Sequence, residues 1–376
     1  MSKFGHIGFT EEQIDMLGAA ERFCREKSPM DKVRKLMESE LGYDADVWAE
    51  IGALGWLGIA IPEEYGGVGL SLTEVVPVAE QMGRRMMHSP FAATTLAAQA
   101  ILIGGTEAQK ADILPKIAKG QAATMALSER NGDWDLSNIS TTARHNGQGY
   151  VLSGVKTFVA DIHVAKWVIV SALMDDDYPC LFIIPRATLF GPAIRRETII
   201  DETKRSYELH LEEIFVDEEA LLADCTEIKI LEHIHLAANL LSAAELTGSC
   251  QSCIDYTVEY LGTRKQFGKR IGAFQALKHP TVDAFVDYQK ARSLLYTAAF
   301  NFGQQGEGEI AVRMAKAKAE ETLSFAADRS IQFHGGFGFT YECDAQLYRR
   351  RAIFLASQYG DARYHKQKLA DLLLKA

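Results

Sequence analysis

The 376-residue sequence predicts an α+β protein with several domains. An N-terminal helical domain covers residues 1–121, a middle β-domain 122–227 and a C-terminal four-helix bundle 228–376. Three observations predict this. The first third carries helix-start signals ahead of apolar residues at helical spacing. The middle is broken into short runs of β-branched and aromatic residues. Long helical patterns resume near Ile228 and continue to the end, and helices of that length bury their apolar faces against one another.

The first third holds three capping-box patterns. Thr10 and Gln13 precede Ile14, Leu17 and Phe23; Ser71 and Glu74 precede Val75 and Val76; Thr106 and Gln109 precede Ile113 and Ile117. Between the first two, Asp46 to Leu57 reads as a short amphipathic helix. It stops at Gly58 and the turn-rich Pro62-Glu63-Glu64-Tyr65-Gly66-Gly67. The texture changes near Ala122. Thr141 to His145 and Tyr150 to Leu152 flank Asn146-Gly147, a favoured hairpin turn pair. Ala165 to Ala172, Cys180 to Ile184 and Tyr207 to Phe215 read as further strands. Helical patterns then run from Ile228 through Tyr260, Phe274 to Phe302, Ile310 to Phe333, and Asp344 onward.

Composition excludes several classes. With 47% hydrophobic and 24% charged residues the chain is ordinary globular material, so long disorder is not expected. A net charge of -10 gives no general hold on nucleic acid. The apolar windows are interrupted by charges too soon for a membrane span, and no secretory signal pattern opens the sequence. Six scattered cysteines do not form a disulfide framework. The expected location is a reducing cytoplasm. Cys250 and Cys253 form a C-x-x-C inside a helical pattern and read as buried helix cysteines. His233 and His235 stand two apart, on different helix faces, and read as non-ligands, so no metal site is expected. Gly66-Gly67-Val68-Gly69 and Gly336-Phe337-Gly338 do not link a strand to a helix, which argues against a dinucleotide fingerprint.

Five segments carry a more specific signal: Pro62 to Gly67, Ala126-Leu127-Ser128-Glu129, Gly154-Val155-Lys156-Thr157-Phe158-Val159, Arg264-Lys265-Gln266-Phe267-Gly268 with Phe274-Gln275, and Gln332-Phe333-His334-Gly335-Gly336-Phe337-Gly338. In this order, across nearly the whole chain, they resemble the FAD-dependent acyl-CoA dehydrogenases. The physical reading agrees. A diphosphate needs a guanidinium, which Arg264 offers, and close backbone approach, which Gly335-Gly336 permits. A solvated helix-end arginine and a plain glycine turn are the ordinary readings of each taken alone. The resemblance implies that Arg264, Phe267, Gln275, Gln332, Gly335 and Gly336 reach the FAD of a neighbouring subunit. It also implies that Leu127, Ser128 and Phe158 contact the flavin. Ser128 replaces a threonine and Phe158 a tryptophan, keeping a hydroxyl and an aromatic face.

The resemblance breaks where the catalytic base is expected. Matching Arg350-Arg351-Ala352 to the family's R-D-A puts Tyr359-Gly360-Asp361 on its E-G-T. Tyr359 then holds the glutamate position, and a tyrosine is a poor base at neutral pH. The alternative base position, counted back from Arg264, is Ala238. Two carboxylates lie nearby: Asp361, two residues on, and Glu245, seven residues after Ala238 along the same helix face. A helix cap and a buried structural acid are their respective ordinary readings. Trp134-Asp135 replaces the family's Ser-Asp, which reshapes the expected CoA entrance. Ala160 replaces a flavin-bonding threonine.

The function the resemblance implies is α,β-dehydrogenation of an acyl-CoA thioester, with electrons passed to an electron-transfer flavoprotein. The expected assembly is a tetramer, of four like chains or of two pairs with a related chain. Three alternatives follow from the altered base position: a subunit that completes a partner's FAD site without catalysing, a related flavin oxidase with an aspartate base, and a CoA-binding regulator.

Overall fold

The computed structural model describes residues 11–135, 138–174, 178–222 and 228–374. Thr10 of the first capping box lies outside them. The chain divides into two compact units. One comprises Met1–Arg34, Leu72–Met87 and Asn239–Ala376; the other comprises Lys35–Ser71 and His88–Ala238.

Helices α1 (Glu11–Lys27), α2 (Met30–Glu38), α3 (Ala45–Ala53), α4 (Leu72–Arg84), α5 (Phe91–Gly104) and α6 (Glu107–Ala118) occupy the first third. The capping box predicted at α6 is present in both directions, Thr106 with Gln109. The helix expected from Asp46 starts at Ala45, because Asp44 caps it by accepting from the N–H groups of Asp46 and Val47. It also ends earlier than expected, at Ala53, and a short 3-10 turn at Trp56–Gly58 follows.

The second unit is built on a sheet of seven strands among the described residues. These are β1 (Ala123–Ala126), β2 (Thr142–His145), β3 (Gly149–Ala160), β4 (Trp167–Met174), β5 (Tyr178–Pro185), β6 (Ile194–Arg196) and β7 (Ser206–Asp217). β1 and β2 lie end to end, each parallel to a different stretch of β4. β5 covers the other side of β4. β3 pairs with β2, then β7 with β3 and β6 with β7, all antiparallel. The core is the face carrying Leu152, Val159, Val168, Val170, Phe182 and Leu209, all fully buried. Arg205 ties the end of α2 to this sheet: it is buried and donates to the carbonyls of Leu36, Met37 and Ser39 at 2.9, 3.0 and 2.7 Å.

β3 does not run straight. Lys156 faces Leu209 and Val159 faces Tyr207, so Thr157 and Phe158 together oppose Glu208. This is a β-bulge, and Phe158 takes the left-handed conformation with φ 54°.

In the first unit α1 and α4 pack with the C-terminal helices: α7 (Ile228–Thr263, mostly in this unit), α8 (Gln275–Asn301), α9 (Glu307–His334), α10 (Ala345–Ala356) and α11 (Ala362–Leu374). A two-stranded hairpin, β8 (Lys265–Gln266) and β9 (Lys269–Arg270), follows α7. The helix expected from Asp344 onward is two helices. The break falls at Tyr359 and Gly360, with φ 58° and 104°.

Glycines set how closely α4 meets α7. A Cβ on Gly83 would lie 2.3 Å from the Glu245 carbonyl oxygen, and one on Gly248 would lie 1.8 Å from that of Glu80. Glu80, fully buried, accepts from Arg292 and Tyr296 of α8 at 2.7 and 2.6 Å.

Candidate active site

In the second unit, the bulge brings the two predicted flavin-contact segments together. Thr157 turns its N–H away from β7 to the Ser128 carbonyl at 2.9 Å, and the Phe158 N–H is held by the Glu197 carboxylate at 3.1 Å. The Phe158 ring is left 38% exposed, and Leu127 and Ser128 are half-buried. Thr157 Oγ1 is buried beside them with no hydrogen-bond partner among the described residues.

Beneath this edge lies a buried ion pair to which the sequence reading gave no role. Lys156 Nζ reaches Glu129 Oε1 at 2.7 Å and Ser171 Oγ at 3.0 Å. Glu129 in turn accepts from the N–H groups of Ser140 and Thr141 at 2.7 and 2.9 Å and from both hydroxyls. Burial pushes the Glu129 carboxyl up, but Lys156 and the hydroxyls outweigh it and hold the group down at about 2. Burial lowers Lys156 to about 8, and Glu129 only partly offsets that. The pair therefore stays ionised between those values, and it ties Leu127–Glu129 to β2, β3 and β4. Both residues lay in the recognised segments. The available signal was a pair of opposite charges, Glu129 just after β1 and Lys156 within β3, each inside a segment of the β-domain pattern.

In the first unit, Arg264 directly follows α7, its N–H bonded to the Tyr260 carbonyl at 2.9 Å. Its own carbonyl accepts from Ile271 at 2.9 Å, which brings the hairpin back beside it and puts Gln275 at the first position of α8. Phe267 and Gly268 form the two-residue hairpin tip, both with positive φ, and the Phe267 ring is 89% exposed.

The glycine turn is joined to this helix end by His334, which sequence reading also missed. The His334 ring stacks on Tyr260 at 4.1 Å and on Tyr256 at 4.8 Å, while its Nδ1 donates to the Ser330 carbonyl at 2.8 Å. Gly335 then leaves α9 with φ 64°, and among the described residues nothing beyond the chain neighbours lies within 4 Å of where a Cβ would stand on Gly335 or Gly336. Arg264, Gln275, Gln332 and both glycines are exposed.

The turn between α10 and α11 carries Tyr359 and Asp361. Burial pushes the Tyr359 phenol up to about 12, so it holds its proton at neutral pH. Asp361 caps α11, its Oδ1 accepting from the Tyr364 N–H at 2.7 Å. Glu245 lies buried in α7, 4.0 Å from the guanidinium of the fully buried Arg351. Ala238 is buried apolar surface. Cys250 and Cys253 are buried in α7, and burial raises both thiols.

Two family models match the chain: "Acyl-CoA dehydrogenase, N-terminal domain" over residues 10–121 and "Acyl-CoA dehydrogenase, C-terminal domain" over 237–372. Acyl-CoA dehydrogenase IpdE2 of Mycolicibacterium smegmatis is 31% identical over 345 residues, covering 90% of this chain and 91% of the relative. The solved butyryl-CoA dehydrogenase of Megasphaera elsdenii superposes with a TM-score of 0.87 at 26% identity, covering 98% of this chain and 99% of its own. A Tcur3481-Tcur3483 steroid ACAD gives a TM-score of 0.86 at 28% identity, with 97% and 98% covered. No helix among the described residues is long and apolar enough to cross a membrane. With both terminal models matched in order and the solved fold reproduced from end to end, the chain belongs to the acyl-CoA dehydrogenase family of oxidoreductases.

Proposed function

We propose that this chain binds FAD and dehydrogenates an acyl-CoA thioester between its α- and β-carbons, passing the electrons to an electron-transfer flavoprotein. The observation that carries the reading is the bulge in β3, which turns the Thr157 N–H to the Ser128 carbonyl and leaves the next ring, Phe158, exposed, next in sequence to the buried Lys156–Glu129 ion pair. The residues fit the cofactor. Among the described residues, open space stands over Gly335 and Gly336, Thr157 Oγ1 is buried without a hydrogen-bond partner, and Phe158 and Phe267 present exposed rings. When bound, FAD supplies the hydride acceptor. Phe158 offers an aromatic face to a planar ring and Ser128 a hydroxyl donor. Arg264 offers a guanidinium to a diphosphate, and Gln275 and Gln332 offer exposed amides. The extreme exposure of Phe267 suits a residue that reaches a second chain in a tetramer.

Within this chain Asp361 is the first candidate to remove the α-proton and Glu245 the second. A second reading, in which a related partner chain supplies the carboxylate, is favoured by what occupies both. The Asp361 carboxylate caps a helix, Glu245 lies beside Arg351, and Tyr359 keeps its proton. One structural relative carries a double designation, Tcur3481-Tcur3483, and has the same fold.

The test is product formation. Flavin-loaded chain, an acyl-CoA panel and electron-transfer flavoprotein should yield an enoyl-CoA lighter by two hydrogens. If that product appears only with a glutamate-bearing relative present, the second reading holds. If it never appears in either mixture, both are wrong.

A further inference from the structure

β3 departs from the alternation of a strand where it carries Phe158. Lys156 and Val159 are both fully buried, yet a regular strand would put them on opposite faces. The bulge reconciles them. Thr157 and Phe158 together oppose Glu208, which takes up one extra residue and leaves the Phe158 ring exposed. The N–H groups of both bulge residues then go elsewhere than to β7. That of Thr157 reaches the Ser128 carbonyl at 2.9 Å, and that of Phe158 reaches Glu197 Oε2 at 3.1 Å.

The acceptor for Phe158 is itself firmly held. Glu197 directly follows β6, and its N–H donates to the Ser206 carbonyl at 2.9 Å, which carries the pairing of β6 with β7 one residue further. The Ser206 hydroxyl donates back at 2.6 Å to Glu197 Oε2, the same oxygen that accepts from the Phe158 N–H. Ser206 is buried at the start of β7 and pairs with Ala160 of β3. One carboxylate oxygen thus joins the first residue of β7 to the bulge of β3. Hydrogen bonds to an ionised acceptor are the stronger kind. This one holds a phenylalanine at φ 54°, a conformation that bulky residues rarely adopt. Unlike the Ser128 carbonyl, the acceptor belongs to a side chain, so a substitution can remove it and leave the strand pairing in place.

We infer that Glu197 is a positioning residue of the flavin site: through the Phe158 N–H it holds the bulge in the form that turns the Phe158 ring to the isoalloxazine, without touching the cofactor itself. The inference rests on the proposed function, in which Phe158 supplies the aromatic face. Without the carboxylate, no charged acceptor offsets the left-handed backbone at Phe158, and the ring loses its fixed direction. The loss of affinity is then limited to what the ring contributes. A carboxylate that met FAD directly would instead add its own loss to that of the ring.

The experiment titrates FAD into the full chain freed of flavin, with wild type, Glu197→Leu, Glu197→Gln, Phe158→Gly and the pair Glu197→Leu with Phe158→Gly. Glu197→Leu should weaken FAD binding roughly two- to tenfold, and by no more than Phe158→Gly does. Glu197→Gln keeps an acceptor oxygen at the same reach and should stay within about twofold of wild type. With Phe158→Gly in place, Glu197→Leu should change the affinity by less than about twofold further. Amide hydrogen exchange in Glu197→Leu should quicken at residues 157–159 and stay unchanged in β4 and β5. Should Glu197→Leu fail to fold, Ser206→Ala takes its place in each comparison, since it unties the same carboxylate oxygen from β7. Unchanged affinity would overturn the inference. So would a loss of equal size with and without the Phe158 ring, an equal loss in Glu197→Gln, or faster exchange throughout the chain. A wild-type chain that takes up no FAD would overturn the proposed function and the inference with it. FAD uptake by wild type with additive losses in the variants would overturn the inference alone.

Discussion

Glu129 and Lys156 hold Leu127–Glu129 against β2, β3 and β4 through a buried ion pair. With Lys156 removed, Glu129 is left buried and uncompensated, so Lys156→Met should destabilise the chain by about 3–5 kcal/mol in a urea melt. The pH dependence has a definite sign. Glu129 falls from 4.5 to about 2 on folding. Its carboxylate therefore contributes stability that is fully present above the unfolded value and drains away as pH drops toward the folded one. Melts from pH 5 to about 2 should show that acid loss, and Glu129→Gln should flatten it. Lys156 falls from 10.5 to about 8, so the folded chain binds fewer protons across that window and stability rises with pH there. Phe158 adds a second residue-scale prediction. Its left-handed backbone costs a phenylalanine about 1 kcal/mol. Phe158→Gly should raise the melting point of the flavin-free chain, yet weaken FAD binding roughly two- to tenfold for want of the aromatic face. The segment holding Phe158 was legible in the sequence as a motif. Its bulge was not, because nothing in Gly154 to Val159 says which residue will lack a cross-strand partner. His334, stacked on Tyr256 and Tyr260, and the buried Lys316, which donates to the Leu355 and Gly360 carbonyls, were hidden for a related reason: these contacts join residues far apart in the chain, which helical periodicity does not report.

Elements were read well where local chemistry fixes them and poorly where partners do. The capping box of α6 and the Asn146-Gly147 turn, where the Asn146 N–H bonds the Gly149 carbonyl at 3.0 Å, follow from local hydrogen bonds. β3 runs to Ala160, well past the expected Leu152, because β7 pairs with it along its length. β1 and β6 gave too little pattern: the first is a short run buried on both faces, the second has three residues. The two C-terminal helices read as one because apolar residues recur on both sides of a break of only five residues, Ser357 to Asp361. The signal that could have split them was Gly360, whose backbone no other residue adopts cheaply. Close packing of α4 and α7 offers the sharpest test at this scale. Gly248→Ala would put a methyl 1.8 Å from the Glu80 carbonyl oxygen and 2.7 Å from the Arg84 nitrogen. Backbone cannot yield as a flexible side chain does, so the denaturation midpoint should fall by the equivalent of about 3 kcal/mol.

At the scale of the whole molecule, the order of helices, strands and helices was plain in the sequence, and the family follows from five segments in sequence order. What the sequence withheld is what surrounds the turn at Tyr359–Asp361, where Asn239 of α7 donates to the Tyr359 carbonyl and Lys316 of α9 to the Leu355 and Gly360 carbonyls. The exposed Arg264, Phe267 and Gln332 are expected to serve the FAD of another chain. Arg264→Ala should therefore lower flavin content, and sedimentation should find no stable monomer with full FAD. The most direct measurement is anaerobic titration of the flavin-loaded chain with a panel of acyl-CoAs. It would be run on wild type, Asp361→Asn and Glu245→Gln, alone and mixed with a glutamate-bearing relative. At least one acyl-CoA should bleach the flavin absorbance, either with the chain alone and with loss in one of the two variants, or only in the mixture. A flavin that dithionite bleaches but no acyl-CoA touches, alone or mixed, would contradict the proposed reaction.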